Sequence, residues 1–295
     1  MEKINRKIIL VVVVCLLANI VGCADEKTKE KKEHRRQSWL KTINWDTERL
    51  SYSGNNINIA IIDSGVDKSI PELSGKIQFE TTVIKENIQS DVKHGTAVAS
   101  IISAENHSDS QVKGIACGAN LISIDVTNQS DGIVDVKDLV KGINVAIKYN
   151  VDIINISIGC LVGDNDLEKV IKKALDKNII IIASAGNYIK NDILYPSKYE
   201  GVVVVGSLSK KGKILYPRGE TKKKIIYLPG EKIVSAIGNN KYAGCEGTSF
   251  STAICTGLVA LLLEKKNDKK AVKEYVEGLD FSKCMDFIKI INNYK

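Results

Sequence analysis

Proline, histidine and aromatic residues are scarce in this sequence. Its 295 residues include four prolines and three histidines, and Phe, Trp and Tyr together make up 5% of the chain. The small number of prolines excludes a proline-rich linker protein, and the apolar fraction of 44% excludes a disordered chain. Twenty-two glycines and an abundance of Ile, Val and Lys instead favour a folded α/β protein.

The cysteines lack the spacing of a metal site. None of the seven forms a Cys-x-x-Cys pair, and none is paired with a histidine at metal-ligand spacing. This pattern excludes a zinc-binding module, and we predict no metal ligands. A chain of this length buries enough apolar surface to fold without a disulfide framework, so we expect mostly free thiols.

The net charge of the chain is +7, and the lysines that contribute to it are scattered. Clusters at 210–213, 222–224 and 265–270 contain no interleaved aromatic residue and match no nucleic-acid-binding motif. We interpret them as a solvated basic surface and expect no nucleic-acid partner.

Residues 1–22 have the pattern of a signal peptide of the lipoprotein type. Three basic residues precede an apolar run from residue 8 to residue 18, which is short for a membrane span. The run ends in Ile20-Val21-Gly22-Cys23, which resembles the lipobox of bacterial lipoproteins, where Cys23 would be lipidated after cleavage. We therefore expect a lipoprotein on the extracellular face of the cell membrane. Secretion without a lipid, or an uncleaved signal anchor, is the alternative.

The lipobox is followed by a charged segment and then by the folded part of the chain. Residues 24–38 contain ten charged side chains of both signs, which cannot bury enough surface to fold. We interpret residues 23–38 as a spacer and residues 39–295 as one domain.

Short apolar runs alternate with helical patterns along this domain. Apolar residues at helical spacing predict helices at 135–148 and 166–177. Strand, helix and strand in succession imply right-handed crossovers and a parallel sheet whose ligand-binding edge lies at the carboxyl ends of its strands. The buried strands are predicted at 57–62, 121–126, 153–158, 179–183 and 202–205.

Two polar side chains follow predicted strands at this edge. Asp63 ends the first strand in Asp63-Ser64-Gly65, and Asn187 follows the strand at 179–183 in Ala185-Gly186-Asn187. Taken alone, each pattern is also explained by an ordinary turn.

Two further candidates stand at the starts of predicted helices. His94 opens the motif His-Gly-Thr and is the only histidine suited to general-base catalysis, because the others lie in the spacer and in a polar loop. Ser249 lies in Gly-Thr-Ser before an apolar helix whose first N–H groups could hold an oxyanion. A packing or capping role is the alternative for each.

Together these motifs resemble the subtilase family of serine proteases over residues 39–280. The order Asp63, His94, Ser249 has gaps of 31 and 155 residues, and each member has its own flanking motif. The resemblance implies a three-layer α/β subtilisin-like fold, with a mainly parallel central sheet flanked by helices. It also implies that Asp63 orients the imidazole, that His94 is general base and then acid, and that Ser249 is the nucleophile. Asn187 and the Ser249 N–H would form the oxyanion hole.

The resemblance also implies where the substrate binds. An extended peptide would add as a strand along Ser157, Ile158 and Gly159. The side chain before the scissile bond (P1) would lie between this segment and residues 184–187, with Leu194 near the floor. Three carboxylates could meet a basic P1 side chain or, alternatively, lie in solvent: Asp164, Asp166 and Asp192.

Two other family features can be compared with this sequence. Tyr195-Pro196-Ser197 resembles the segment that contains a cis proline in subtilases. At the positions of the family's common calcium site, the chain has Glu72 and the loop at about 106–112 instead of an aspartate and an Asn-rich loop. We therefore expect no cofactor, with calcium as the alternative.

Two cysteines lie near the predicted site. Cys160 follows the peptide-binding segment, and Cys245 lies four residues before Ser249. A bulky adduct on either thiol would obstruct the cleft, which predicts sensitivity to thiol reagents. The alternative is that both are small buried hydrophobic residues.

Within the subtilases, the small size and the Lys/Ile/Asn-rich composition resemble the leader peptidases of lanthipeptide (lantibiotic) biosynthesis. The predicted function is a membrane-anchored serine endopeptidase that removes the leader of one precursor peptide and acts as a monomer. Two alternatives are a general cell-surface subtilase and a non-catalytic lipoprotein that binds peptides, for example in producer immunity.

Overall fold

The computed structural model describes most of the predicted domain and little of what precedes it. The predicted signal peptide, Cys23 and all but the last two residues of the spacer lie outside the described part. None of the helices in the described part combines the length and the hydropathy that a bilayer span requires. The described residues are 37–45, 50–84, 91–105, 111–127, 134–160, 162–187, 193–216, 222–281 and 285–295.

A mainly parallel sheet of eight strands forms the centre of the described structure. Its order is β2-β3-β1-β4-β5-β6-β7, and β8 also pairs with β6. Among the described strands of this sheet, only β7 runs antiparallel to its neighbour. The strands are β1 (Asn58–Asp63), β2 (Ile77–Thr82), β3 (Asn120–Asp125), β4 (Ile153–Ile156), β5 (Ile180–Ser184), β6 (Val203–Leu208), β7 (Ile214–Tyr216) and β8 (Ile225–Pro229). Two further strands, β9 (Ile233–Ala236) and β10 (Tyr242–Cys245), form a separate antiparallel hairpin.

The five strands expected from apolar runs are present as β1, β3, β4, β5 and β6, with ends that differ by at most three residues. The strand expected at 153–158 ends at Ile156, because the next three residues leave the sheet at its active edge. The sequence did not predict β2, which lies at the edge of the sheet. Its residues alternate between partly buried and exposed, so they form no continuous apolar run.

The helices expected at 135–148 and 166–177 are confirmed. Each has an aspartate at its N-cap, Asp135 and Asp164, whose side chain accepts hydrogen bonds from the first turn. The second helix ends at Leu175, shortly before Asn178 adopts a left-handed φ of 57°. The helices are α1 (Trp39–Thr42), α2 (Lys93–Ser103), α3 (Val136–Lys148), α4 (Asn165–Leu175), α5 (Thr248–Lys265), α6 (Lys269–Gly278) and α7 (Phe287–Asn293).

Alternating residues of β1 join two different cores and so define three layers. Ile59 and Ile61 pack in a cluster that also contains apolar residues of α2 and α5. Ala60 and Ile62 point to the opposite face, where they pack with residues of α3 and α4. The expected three-layer α/β fold is therefore confirmed, with helices on both faces of the sheet.

Helix α5 lies deep in the first of these cores and presents its N-terminus to the active edge. Every residue from Thr248 to Leu263 is buried. Gly257 allows the helix to lie close to a neighbouring turn, because a Cβ there would be 2.6 Å from Ile115 Cβ and 2.8 Å from its Cγ2.

We expect Gly257→Ala to destabilise the protein, although alanine normally stabilises a helix by about 1 kcal/mol relative to glycine. The new methyl group would overlap the stiff, β-branched Ile115 side chain, at a cost of about 1–3 kcal/mol. Urea unfolding measures the difference. Gly278→Ala is the matched control, because a Cβ at that position in α6 would meet nothing within 4 Å. A Gly257→Ala protein more stable than the wild type would contradict the close approach.

Candidate active site

Strand β1 places Asp63 at the carboxyl edge of the sheet, where its carboxylate is buried. Asp63 is 1% exposed, and its Oδ1 accepts a hydrogen bond of 2.7 Å from the Ser64 N–H. The same oxygen lies 2.8 Å from His94 Nδ1. Among the described residues, Oδ2 has no hydrogen-bond partner. The first two predicted site residues are thus brought together across 31 positions of sequence.

A glycine explains how α2 approaches closely enough to make this pair. A Cβ on Gly95, directly after His94, would be 2.0 Å from the carbonyl oxygen of Gly65. Any larger residue would push the start of α2 away from the loop after β1. The Gly95 N–H also donates to Ser64 Oγ at 3.2 Å, which links the two segments. The glycine of the His-Gly-Thr motif therefore determines the position of the imidazole.

Asp63 raises the pKa of His94. Burial of the ring lowers the pKa of His94. The charge of Asp63 and the hydrogen bond to Asp63 raise this pKa by more than burial lowers it, so the net shift is upward. With Asp63 ionised, Nδ1 carries the proton that points to the carboxylate. Nε2 is then left as the basic nitrogen, free to accept a proton.

Ser249 lies in the first turn of α5, next to Phe250, whose ring contacts His94. The rings of Phe250 and His94 have centroids 5.5 Å apart. The Ser249 hydroxyl donates to the carbonyl of Ser157 at 3.1 Å, so in this structure its proton is held by a main-chain oxygen and not by the imidazole. Hydrogen bonds of a catalytic nucleophile are often absent or long before the substrate binds.

The side-chain amide of Asn187 is held in place through its oxygen. Its Oδ1 accepts from the Thr248 N–H at 2.8 Å and from the Thr248 hydroxyl at 2.9 Å. Because a backbone N–H can only donate, the atom facing it must be the amide oxygen. Gly247 has φ 137°, and a Cβ there would lie 2.7 Å from Asn187 Nδ2. The Asn187 Nδ2 group and the Ser249 N–H therefore provide donors for an oxyanion, whereas the N–H groups of Thr248 and Phe250 already have acceptors.

The segment Ser157–Gly159 leaves the sheet after β4 and is attached to α5. Ser157 Oγ accepts from Asn155 Nδ2 at 3.1 Å, and Asn155 Oδ1 accepts from the Thr256 hydroxyl at 2.9 Å. The Ile158 side chain is buried in the core, so a peptide could contact only its main chain. This network keeps the expected peptide-binding segment in register with Ser249.

Two of the three loop carboxylates considered for a basic P1 side chain have other partners. Asp164 caps α4 by accepting from the N–H groups of Asp166 and Leu167 at 2.8 and 3.0 Å. Asp166 forms an exposed ion pair of 3.0 Å with Lys169. Asp192 lies outside the described residues. The cap on Asp164 opposes a swing toward the cleft, which favours the alternative of loop carboxylates with structural or solvent partners.

The burial of Cys160 and Cys245 favours the interpretation of both as small hydrophobic residues. Cys160 is 1% exposed, and burial together with the charge of Asp164 raises its pKa to about 11. Cys245 is also buried, which raises its pKa to about 11. Since the thiolate is the reactive form, neither thiol is set up to react with alkylating reagents near neutral pH. In the described part of the chain, all four cysteines are free: Cys117, Cys160, Cys245 and Cys255.

The residues in the described part do not form a calcium site around Glu72. The Glu72 side chain is buried, and its Oε1 accepts a hydrogen bond from the Tyr242 hydroxyl. Its Oε2 has no partner there, but calcium requires six to eight oxygen ligands. No group of three or more His, Cys, Asp or Glu residues that could hold a metal occurs among the described residues. Residues 106–110 of the compared loop lie outside them.

Other features of the site were implied or missed by sequence reasoning. The bond between Tyr195 and Pro196 is cis, as the family resemblance implies. The roles of Thr248 in orienting Asn187 and of Asn155 and Thr256 in holding Ser157 were missed. These contacts join residues 61 and 101 positions apart, and a single sequence carries no local signal for them.

Comparison with known proteins agrees with this geometry. The profile of the Subtilase family matches residues 54–279. The chain therefore belongs to the subtilase family of serine endopeptidases.

Individual relatives extend the comparison. The chain is 32% identical to the major intracellular serine protease of Bacillus subtilis (strain 168), over 71% of this chain and 69% of the relative. It is 32% identical to subtilisin E of the same strain over 72% of this chain, and it spans 57% of that protein's length.

Two solved structures are similar over most of the chain. Prenylagaramide maturation protease PagA has a TM-score of 0.71 and 28% identity, with coverage of 87% of this chain and 99% of that one. Patellamide maturation protease PatA has a TM-score of 0.67 and 28% identity, with coverage of 76% and 85%.

The charge of Asp63 generates a prediction about pH. Only neutral His94 can accept a proton, so kcat/KM of the wild type should fall on acidification with a midpoint above about 6.5, the ordinary pKa of histidine. In Asp63→Asn, burial alone acts on the imidazole and the midpoint should move to lower pH. Turnover should also fall by about 10⁴-fold, because an amide favours the wrong tautomer.

The measurement is kcat/KM of both proteins across the acid limb. The matched control is Asp67→Asn. This carboxylate of the same loop accepts from Ser69 and Asn239 and not from His94, so the midpoint should stay unchanged. A midpoint in Asp63→Asn equal to or above that of the wild type would contradict the electrostatic argument.

Proposed function

We propose that this subtilase hydrolyses peptide bonds through Ser249, with His94 carrying the proton. Ser249 Oγ attacks the scissile carbonyl carbon while His94 Nε2 takes the hydroxyl proton. The carbonyl oxygen becomes an oxyanion that accepts hydrogen bonds from Asn187 Nδ2 and the Ser249 N–H. The imidazolium, stabilised by Asp63, then gives its proton to the leaving amine, and an acyl-enzyme remains.

Deacylation follows the same steps, with water in place of the serine hydroxyl as the nucleophile. Water attacks the acyl carbon and loses a proton to His94, which returns that proton to Ser249 Oγ as the new carboxylic acid leaves. The observation that carries the proposal is the fixed amide of Asn187, whose oxygen is held by Thr248 so that its nitrogen can only donate. A protein that merely bound peptides would not need that orientation.

For the substrate, we propose a secreted precursor peptide of the lanthipeptide class, from which the leader is removed. PagA and PatA are maturation proteases of prenylagaramide and patellamide, which supports a precursor peptide as the substrate. The narrower choice of a lanthipeptide rests on the size and composition of this chain. Residues 1–22 carry a net charge of +2, so the rest of the chain carries +5 of the total of +7. The resemblance to lanthipeptide leader peptidases implies an acidic leader, which that surplus would attract over distances near the Debye length of about 8–10 Å.

The second candidate is a general cell-surface protease. The similarity to subtilisin E, at 32% identity, favours it. Both candidates use the same catalytic groups and differ only in the substrates that they accept.

The test incubates residues 24–295 with the modified precursor and with casein, at low and high salt. We expect one cut at the leader junction, which weakens as salt screens the charge attraction. Ser249→Ala should lose about 10⁶-fold in turnover, and Asn187→Ala about 10²- to 10³-fold. Efficient digestion of casein, together with the lack of one specific cut at the leader junction of the precursor, would favour the general protease. Wild-type turnover by Ser249→Ala would overturn the mechanism.

We also propose that Cys23 is lipidated and anchors the protein to the outer face of the membrane. A diacylglyceryl group supplies two chains, which is enough for stable anchoring. Cys23→Ala should therefore be left uncleaved or appear in the medium, as measured by fractionation and by the mass of the mature N-terminus. Cys15→Ala, within the apolar run, is the matched control and should remain in the membrane fraction. A mature wild-type protein whose N-terminus carries no lipid would overturn the proposal.

A further inference from the structure

A surface rich in lysine lies at the end of the fold opposite the active edge. A helix that connects two parallel strands ends near their amino ends, away from the edge that carries the site. The segments 172–177, 222–224 and 265–273 lie at that far end. They contain the last turn of α4, the residues before β8, the end of α5 and the start of α6. Together these segments, which we call the basic end, have eleven lysines and two aspartates.

Helix α5 gives the distance between the basic end and the nucleophile. The helix begins at Thr248, next to Ser249, and it ends at Lys265. At a rise of 1.5 Å per residue, the axial distance from Ser249 to Lys265 is about 24 Å. A partner bound at the basic end would therefore leave the active edge uncovered.

Carboxylates near the basic end do not cancel its charge. Asp152 pairs with Lys269 at 2.8 Å. Glu277 pairs with Lys273 at 2.9 Å. Eleven lysines face seven carboxylates when the adjoining ones in the described part of the chain are included, so lysine stays in excess. The adjoining carboxylates are Asp152, Glu200, Glu264, Glu274 and Glu277.

A cavity of about 340 Å³ opens at the basic end, between the amino ends of β6 and β8 and helix α6. Lysines in the last turn of a helix complement the helix dipole, but those before β8 belong to no helix. The cavity therefore suits a negatively charged group, such as the phosphate of a lipid headgroup. Its charged lining is Lys222, Lys223, Lys224, Lys273, Glu200 and Glu277.

The chain that leads back to Cys23 enters the fold away from the active edge. Gln37 Oε1 accepts from the Lys113 N–H at 2.6 Å, and its Nε2 donates to the Lys113 carbonyl at 3.2 Å. The next residue, Gly114, donates its N–H to the carbonyl of Ala104, which is the C-cap of α2. His94 lies at the opposite end of this helix.

The segment from Cys23 to Gln37 limits how far the domain can stand from a lipid on Cys23. Fully extended, a chain of this length spans at most about 50 Å. Residues 24–36 contain six basic and four acidic side chains, so this segment also carries an excess of positive charge. A lipid on Cys23 would therefore hold the basic end close to the bilayer.

We propose that the basic end docks against a membrane surface of anionic lipids, which turns the active edge away from the membrane. Lysines near such a surface are attracted to it within about a Debye length. The docking adds to the lipid on Cys23 proposed above but does not require it. An acidic leader peptide is the other candidate occupant, but the cleft that would cut it lies about 24 Å away.

The experiment mixes the mature protein, as the cell produces it, with equal amounts of two kinds of vesicle. One kind is phosphatidylcholine alone, and the other also contains phosphatidylglycerol. Centrifugation separates vesicles of different density and gives the ratio of protein on anionic vesicles to protein on neutral ones. A lipid on Cys23 inserts equally into both kinds, so the ratio reports the docking of the domain. We expect a ratio well above one at low salt, which falls as salt screens the lysines.

Neutralising three lysines of the basic end should lower this ratio by about 100-fold, because each lysine near an anionic surface contributes a factor of about five. The variant is Lys177→Gln, Lys222→Gln and Lys224→Gln together. All three side chains are exposed, so the variant should unfold in urea at the same concentration as the wild type.

The matched control removes the same charge at the active edge. It combines Lys210→Gln, Lys211→Gln and Lys213→Gln, which are equally exposed in the turn after the carboxyl end of β6. The ratio should stay at the wild-type value. An equal loss in both triple variants would overturn the proposal, because the ratio would then depend on net charge alone.

A wild-type ratio of one at low salt would also overturn the proposal. Soluble polyglutamate tests the other occupant. If it binds the wild type but not the Lys177, Lys222 and Lys224 variant, while the vesicle ratio is one, the basic end binds acidic peptides instead. None of these measurements involves peptide cleavage, so failure of the protease function and failure of the docking are distinguishable.

Discussion

Burial of the Asp63 carboxylate costs several kcal/mol of desolvation, which only close donors can offset. The Ser64 N–H and the His94 ring are those donors, and both reach the same oxygen. Their approach depends on Gly95, because any side chain there would meet the Gly65 carbonyl. The start of α2, the charge state of the imidazole and the free Nε2 all follow from this one pairing.

The N-terminus of α5 is held with similar precision by contacts made along the helix. Thr248 orients the Asn187 amide, and Thr256, two turns further on, holds Asn155 and through it Ser157. Ser249 thus stands between the Asn187 amide and the segment Ser157–Gly159, both of which are held in place by α5. Because α5 is buried along almost its whole length, these contacts lie in a close-packed core and are not free to adapt.

Much of the architecture could be predicted from apolar patterning alone. Strands β1, β3, β4, β5 and β6 are covered on both faces, which leaves a continuous apolar run in the sequence. The strands that were missed are half exposed, short or outside the main sheet, and they have weaker patterns. Asp63, His94, Ser249 and Asn187 could be singled out because each stands in its own short motif. Contacts such as Asn155 with Thr256 could not, because they depend on which strand ends beside which helix.

The contact of Leu194 with Gly159 and Gly186 shows the same limit of sequence reasoning. The resemblance implies a position near the P1 side chain, but the contacts of the leucine depend on how closely two backbones approach it. No single residue type encodes that distance.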